Sequence, residues 1–224
     1  MIRLPAIGVL FAVMGTSTLF AVDLSSYRGL KFGMDLAAAA KQAGTKPTEV
    51  KLVHQHPSTI QEIEWQPRPP IADPIKADPV REASLSFLDG QLFRIVVTYD
   101  RYKLQGMTSD DLVEAISLTY GAATKPIAEI AYHSNYAEVA AVIARWQDPE
   151  YSYDLVRTGD RASFALVLYS KRLDALAQAA IVEAVRLEAQ EAPQREFEKK
   201  QRREQEEHLE LEKARAVNRT NFRP

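Results

Sequence analysis

Residues 83–100, ASLSFLDGQLFRIVVTYD, carry the most regular pattern in the chain. Two apolar runs flank Asp89-Gly90, a strong short-range hairpin signal. Residues on one sheet face recur at every second position, so Leu85 and Phe87 belong with Phe93, Ile95, Val97 and Tyr99. A two-residue loop at Asp89-Gly90 pairs Phe87 with Leu92 and Leu85 with Arg94, which splits the aromatics between faces. A three-residue loop, Leu88-Asp89-Gly90 with Gly90 left-handed, restores the match and predicts a bulged hairpin.

Two helical patterns stand before strand-rich stretches. Asp35 is a natural N-cap for the alanine-rich run 36–43, and Gly44 a natural left-handed stop. In LQGMTSDDLVEAISLTYG, Thr108 caps, Asp111 completes a capping box and Gly121 ends the helix. Residues 59–67 read as a strand ending near Trp65 and precede the hairpin. Residues 140–149 read as a strand ending near Trp146, and precede strands 151–157 and 163–171 around a turn at Thr158-Gly159-Asp160. Each half therefore reads as a helix followed by a three-stranded antiparallel meander, and internal duplication explains the correspondence most economically. Residues 68–80, RPPIADPIKADPV, carry prolines that forbid helix or central strand and predict an extended loop.

From residue 173, Leu173, Leu176, Ala180, Ala184 and Leu187 form an apolar stripe at helical spacing, predicting a helix packed on the domain. Pro193 interrupts that pattern, and the remainder to residue 224 is dense in charge of both signs. Glu196–Lys200 and Glu198–Arg202 have the favourable helical spacing, so this tail reads as a solvated helix or a partly disordered segment. The expected class is α+β: two tandem units at about 27–100 and 101–171, a packed helix at 172–192 and a charged tail at 193–224.

The opening MIRLPAIGVLFAVMGTSTLFA places Arg3 before an apolar run to Ala21, the pattern of a signal peptide over residues 1–21. The expected location is exported, periplasmic or secreted, with an uncleaved N-terminal membrane anchor as the alternative. Residues 22–192 then form the folded domain. The net charge of −2 argues against nucleic-acid binding, and the absence of cysteine excludes disulfide or thiol chemistry.

The Gly33-Met34-Asp35 and Gly106-Met107-Thr108 openings, with closing Gly44 and Gly121, lie before meanders within residues 27–171. This arrangement resembles two families of exported bacterial proteins, the β-lactamase-inhibitor-protein fold and the SmpA/OmlA outer-membrane assembly lipoproteins. The first implies a tandem repeat of a short helical unit packed on antiparallel strands; the second implies one such unit. The chain departs from both in lacking cysteine, hence the lipobox of one and the disulfides of the other.

Chemical motifs are sparse. His54-Gln55-His56 would point two imidazoles the same way on a strand, the basis for a metal-dependent or other hydrolase reading, but Pro57 places the pair in an expected loop. No cofactor-binding, metal or catalytic set is assigned. Asp110-Asp111 are explained by their place in a first helical turn. Trp65 and Trp146 are expected beneath their helices. Tyr99, Tyr151, Tyr153 and Tyr169 are candidates for protein binding on an open sheet face, where such residues dominate interface energetics. The leading expectation is an exported non-enzymatic protein that binds another protein or envelope component through that face. Its alternatives are the hydrolase and a structural envelope protein with a spacer tail.

Overall fold

The computed structural model describes residues 22–45, 50–67, 78–126, 131–133, 139–158, 163–221 and 223, with side chains of 131–133, 139, 140, 158 and 220 left aside. The expected signal peptide, most of the proline-rich loop at 68–80 and the turn at residues 158–160 lie largely or wholly outside these residues. The elements are β1 (Ser26–Tyr27), β2 (Leu30–Lys31), α1 (Leu36–Ala43), β3 (Lys51–His54), β4 (Ile60–Trp65), β5 (Val80–Leu88), β6 (Gln91–Tyr99), α2 (Ser109–Tyr120), β7 (Ala131–His133), β8 (Val139–Gln147), β9 (Tyr151–Thr158), β10 (Ser163–Ser170) and α3 (Lys171–Asn221). The fold is α+β. Strands β3 to β10 form one eight-stranded antiparallel sheet in the order β3-β4-β5-β6-β10-β9-β8-β7, so β6 and β10 meet at its centre. Each half thus runs as a helix and four strands rather than three. The additional strands, β3 and β7, are the short outer ones, where few apolar positions announce a strand.

The hairpin of β5 and β6 is bulged, but not in its loop. Asp89 (φ 47°) and Gly90 (φ 79°) form a two-residue turn with both residues left-handed, the form that matches strand twist. Leu88 pairs with Gln91 and Phe87 with Leu92; the register then slips so that Ser86 meets Arg94 and Leu85 meets Ile95. Phe93 is the extra residue. It turns to the opposite face from Leu92 and Ile95, leaving those two with Leu85, Phe87 and Val97 in the main core. The parity rule holds beyond the bulge, and its one casualty is Phe93.

The main core lies between the sheet and the layer of α1, α2 and the β1–β2 hairpin. It contains Leu24, Tyr27, Leu30, Ala39, Ala40 and Leu112 against Ile63, Leu85, Ile95, Trp146, Tyr153 and Leu166. Both helices start as the sequence predicts. Asp35 accepts from the Ala38 N–H at 2.9 Å, and Thr108 with Asp111 completes a capping box whose hydrogen bonds hold the Asp111 carboxyl below its usual range. Gly44 ends α1 in the left-handed conformation, its N–H donating to the Ala40 and Lys41 carbonyls.

Helix α3 lies against the other face. Leu173, Ala177 and Ala180 cover Ile60, Leu88 and the bulged Phe93. Leu176, expected in the buried stripe, is exposed; Ala177 takes its place. The helix also continues through Pro193 to Asn221 instead of being interrupted. Proline removes one backbone donor and crowds the preceding turn. Helix-forming residues and ion pairs offset this, and Arg195 donates to the Glu188 carbonyl at 3.0 Å, near the break. The observed ion pairs, Glu196–Lys199 and Lys200–Glu204, use a register shifted from the expected one.

Candidate binding surfaces

The four candidate tyrosines do not share an open face. Strand parity turns Tyr99, Tyr151 and Tyr153 toward α1 and α2, and turns Tyr169 the other way. Tyr153 is fully buried, which corrects its expected role as a surface contact. Its hydroxyl donates to the Ser26 carbonyl at 2.8 Å, its ring meets Tyr120 edge to face at 5.0 Å, and burial pushes its phenol pKa up. Tyr151 stacks on Phe32 at 5.5 Å. Tyr99 is half-buried, its phenol also raised by burial, and it lines a 470 Å³ cleft with Arg101, Arg157 and Phe164. Tyr169 is half-buried on the α3-bearing face, where its hydroxyl donates to Asp154 at 3.4 Å.

That second face is not simply open either. Over β4, β5 and β6 it is covered by α3, and further along it carries a row of buried polar groups. Asp154 accepts from Arg145 Nε and Nη2 at 2.7 and 2.6 Å and from Ser152 Oγ at 3.0 Å. Arg94 donates to Asp174 of α3 at 2.8 Å through Nε; burial raises the Asp174 carboxyl pKa against the pull of that guanidinium. Each of these charges is neutralised and hydrogen-bonded where it stands, the condition for burying charge in a sheet. Among the described residues, no buried side-chain polar atom lacks a partner.

His54 is on β3, opposite Ile60, rather than in a loop, and its Nδ1 lies 2.9 Å from Glu188 Oε1 of α3. His56 is exposed in the bend that follows. Among the described residues, no group of three or more His, Asp and Glu side chains could hold a metal ion.

A large concavity was not anticipated from sequence. It is an open groove of about 990 Å³ between the C-terminal end of α1 and the edge of the sheet, walled by Gln42, Ala43, Trp65, Glu64, Lys51 and the Arg28–Asp78 ion pair. Its floor follows from strand lengths. Strand β3 pairs with β4 only through Ile60, Gln61 and Glu62, so among the described residues the outer edge of β4 from Ile63 to Trp65 has no neighbouring strand. Trp65 packs partly on the core and partly lines the groove. Asp78 is held below its usual pKa: burial alone would raise it, but the hydrogen bonds from Arg28 and the Val80 N–H outweigh that. The available sequence signal was the contrast between the two helices, α1 having 8 residues and α2 having 12.

Comparison with known proteins found no matching family model, no similar curated protein and no similar solved structure.

Proposed function

We propose that this chain is an exported, non-enzymatic binding protein that takes an extended segment of a protein partner along the edge of β4 from Ile63 to Trp65, which has no strand partner among the described residues. The observation that carries this reading is the coincidence, in one groove, of a strand edge that has no neighbouring strand among the described residues, a half-exposed tryptophan and charges of both signs. A free edge supplies a row of backbone donors and acceptors, and β-addition uses them for affinity while flanking pockets select side chains. Trp65 supplies the aromatic anchor such interfaces favour. Export rests on the signal-peptide pattern of residues 1–21. The test is a photo-crosslinking residue placed at Glu64, in the groove, against one at exposed Tyr102 outside it, with the full chain in its native cell envelope. A discrete adduct from position 64 alone, lost on Trp65→Ala, is the expected result. Equal adducts at both positions, or an adduct indifferent to Trp65, would overturn it.

A second reading has its own observation. Beyond Glu188 every described side chain of α3 is exposed, and residues 189–221 make a rod of about 50 Å at the usual helical rise. Such a rod suits a spacer between the folded domain and an envelope partner.

A further inference from the structure

Arginines stand at four positions of the described strands, and three of them are paired where they stand. Arg81 pairs with Glu82, Arg94 with Asp174 and Arg145 with Asp154. Arg157, near the end of β9, has no carboxylate partner among the described residues. Strand parity puts it on the helical side of the sheet with Tyr153 and Leu155, which are fully buried, yet Arg157 is exposed. The cover changes at this point. The ends of β6, β9 and β10 meet the chain from Arg101 to Ser109, and the 470 Å³ cleft lies between them.

The floor of that cleft follows from register. Phe164 is the cross-strand partner of Arg157 and Ala165 that of Thr98, so Tyr99, Phe164 and Arg157 form one row across three strands. Phe164 is buried, Tyr99 and Leu104 pack on the main core, and Met107, 37 % exposed, adds an adaptable apolar wall. A second guanidinium borders this floor. Arg101 donates to the Tyr102 hydroxyl and lies over its ring at 4.6 Å, an uncharged partner. The acids nearest in sequence are committed elsewhere. Asp100 accepts from the Tyr102 N–H at 2.8 Å, Asp111 closes the capping box of α2, and Asp110 faces Lys125 at 3.8 Å. Among the described residues, no aspartate or glutamate lines the cleft.

An exposed arginine by itself is well served by water. What distinguishes this place is two guanidiniums bordering one aromatic-floored concavity from which acids are absent. A guanidinium holds a carboxylate through paired, charge-assisted donors, and an apolar concavity of several hundred Å³ with few polar groups is the usual setting of a small-molecule site. We propose that the cleft binds a small carboxylic acid with an aromatic body. Arg157 and Arg101 hold the carboxylate, and the body lies on Phe164 and Tyr99. The site is separate from the groove beside Trp65 and does not depend on it.

Isothermal titration of the full chain with 3-phenylpropanoate tests this. Saturable binding at millimolar concentration or below is expected. Two probes each carry half of the recognition: 3-phenylpropanamide has the body without the charge, and acetate has the charge without the body. Both should bind at least tenfold more weakly than the acid. Arg157→Gln should weaken the acid at least tenfold and Arg101→Gln at least threefold, with the circular dichroism unchanged because both side chains are exposed. Arg81→Gln, an exposed arginine outside the cleft, should leave the affinity as it is. The Met107 methyl resonance should shift during the titration, which locates the ligand. Absence of saturable binding overturns the proposal, as does equal binding of the amide or an affinity indifferent to Arg157→Gln. An equal loss on Arg81→Gln would show attraction to surface charge in general and overturn it as well.

Discussion

Trp65 and Trp146 occupy the same place in the two halves of the sheet, and only one of them is core. Each stands at or one residue before the end of the strand that follows its half's short outer strand, each precedes a glutamine, and each faces the helical layer. Trp146 is buried beneath α2, where its indole N–H donates to the Gly121 carbonyl at 2.9 Å. Trp65 stands half-buried at the wall of a groove. The difference lies in the helices above them. Helix α2 has 12 residues and α1 has 8, and four residues are about one turn, or 6 Å of cover. One turn of helix separates a core position from a groove wall.

The comparison predicts its own largest effect. Trp146→Ala should destabilise the domain by about 3–5 kcal/mol, the range for emptying a large aromatic site in a core. Trp65→Ala should lose roughly a third of that, because part of its ring already meets water. Urea denaturation followed by circular dichroism measures both. Equal losses would mean that Trp65 is as enclosed as its counterpart and that the groove is not a surface.

The local elements behind this contrast were readable before the structure, although the sequence placed both tryptophans beneath their helices. The caps at Asp35 and Thr108, the closing glycines and the unequal helices are local signals, set by hydrogen bonding within a few residues. Side-chain parity placed Leu85, Phe87, Ile95 and Val97 together correctly because alternation is a property of the strand itself. It misplaced Phe93, since a bulge in β6 and a longer loop satisfy the same alternation, and only pairing across strands distinguishes them. The tyrosines failed as a set for a tertiary reason. Alternation says which residues share a face, but not which face the helices take, and α3 covers part of the other. The groove was hidden because it is assembled from the end of α1, the edge of β4 and the Arg28–Asp78 ion pair, which lie far apart in the sequence, and no single segment encodes that.

A smaller effect separates the two helix ends. Gly44 has φ 67° and ψ 24°, a left-handed conformation that asparagine tolerates. Gly121 has φ 79° and ψ −167°, a region that is almost exclusively glycine's. Gly44→Ala should cost about 1 kcal/mol and Gly44→Asn less. Gly121→Ala should cost about 2–3 kcal/mol, because the strain is greater and the carbonyl that accepts from Trp146 moves with it. Thermal melts rank the three variants, and a shift in tryptophan emission should accompany Gly121→Ala alone. If Gly44→Asn proved as damaging as Gly121→Ala, the two helix ends would not differ in the way their backbones indicate.

The smallest effect concerns the tail, and it divides α3 as sharply as the tryptophans divide the sheet. Up to Glu188 the helix supports the first half: Leu173, Ala177 and Ala180 cover Ile60, Leu88 and Phe93, while Asp174 and Glu188 reach Arg94 and His54. Beyond it the ion pairs, such as Glu196–Lys199 and Lys200–Glu204, join residues of the helix to one another. Exposed pairs of this kind are worth about 0.3–0.5 kcal/mol each, and they stabilise the rod, not the sheet. Removing residues 194–224 should therefore change the unfolding free energy of the domain by less than about 0.5 kcal/mol, the range for changes remote from packing, while lowering the helical signal in circular dichroism. A loss of several kcal/mol would mean that the rod folds back onto one of the halves. A null result would leave both halves standing on the sheet, their own helices and the docked part of α3, with the rod free to act at a distance.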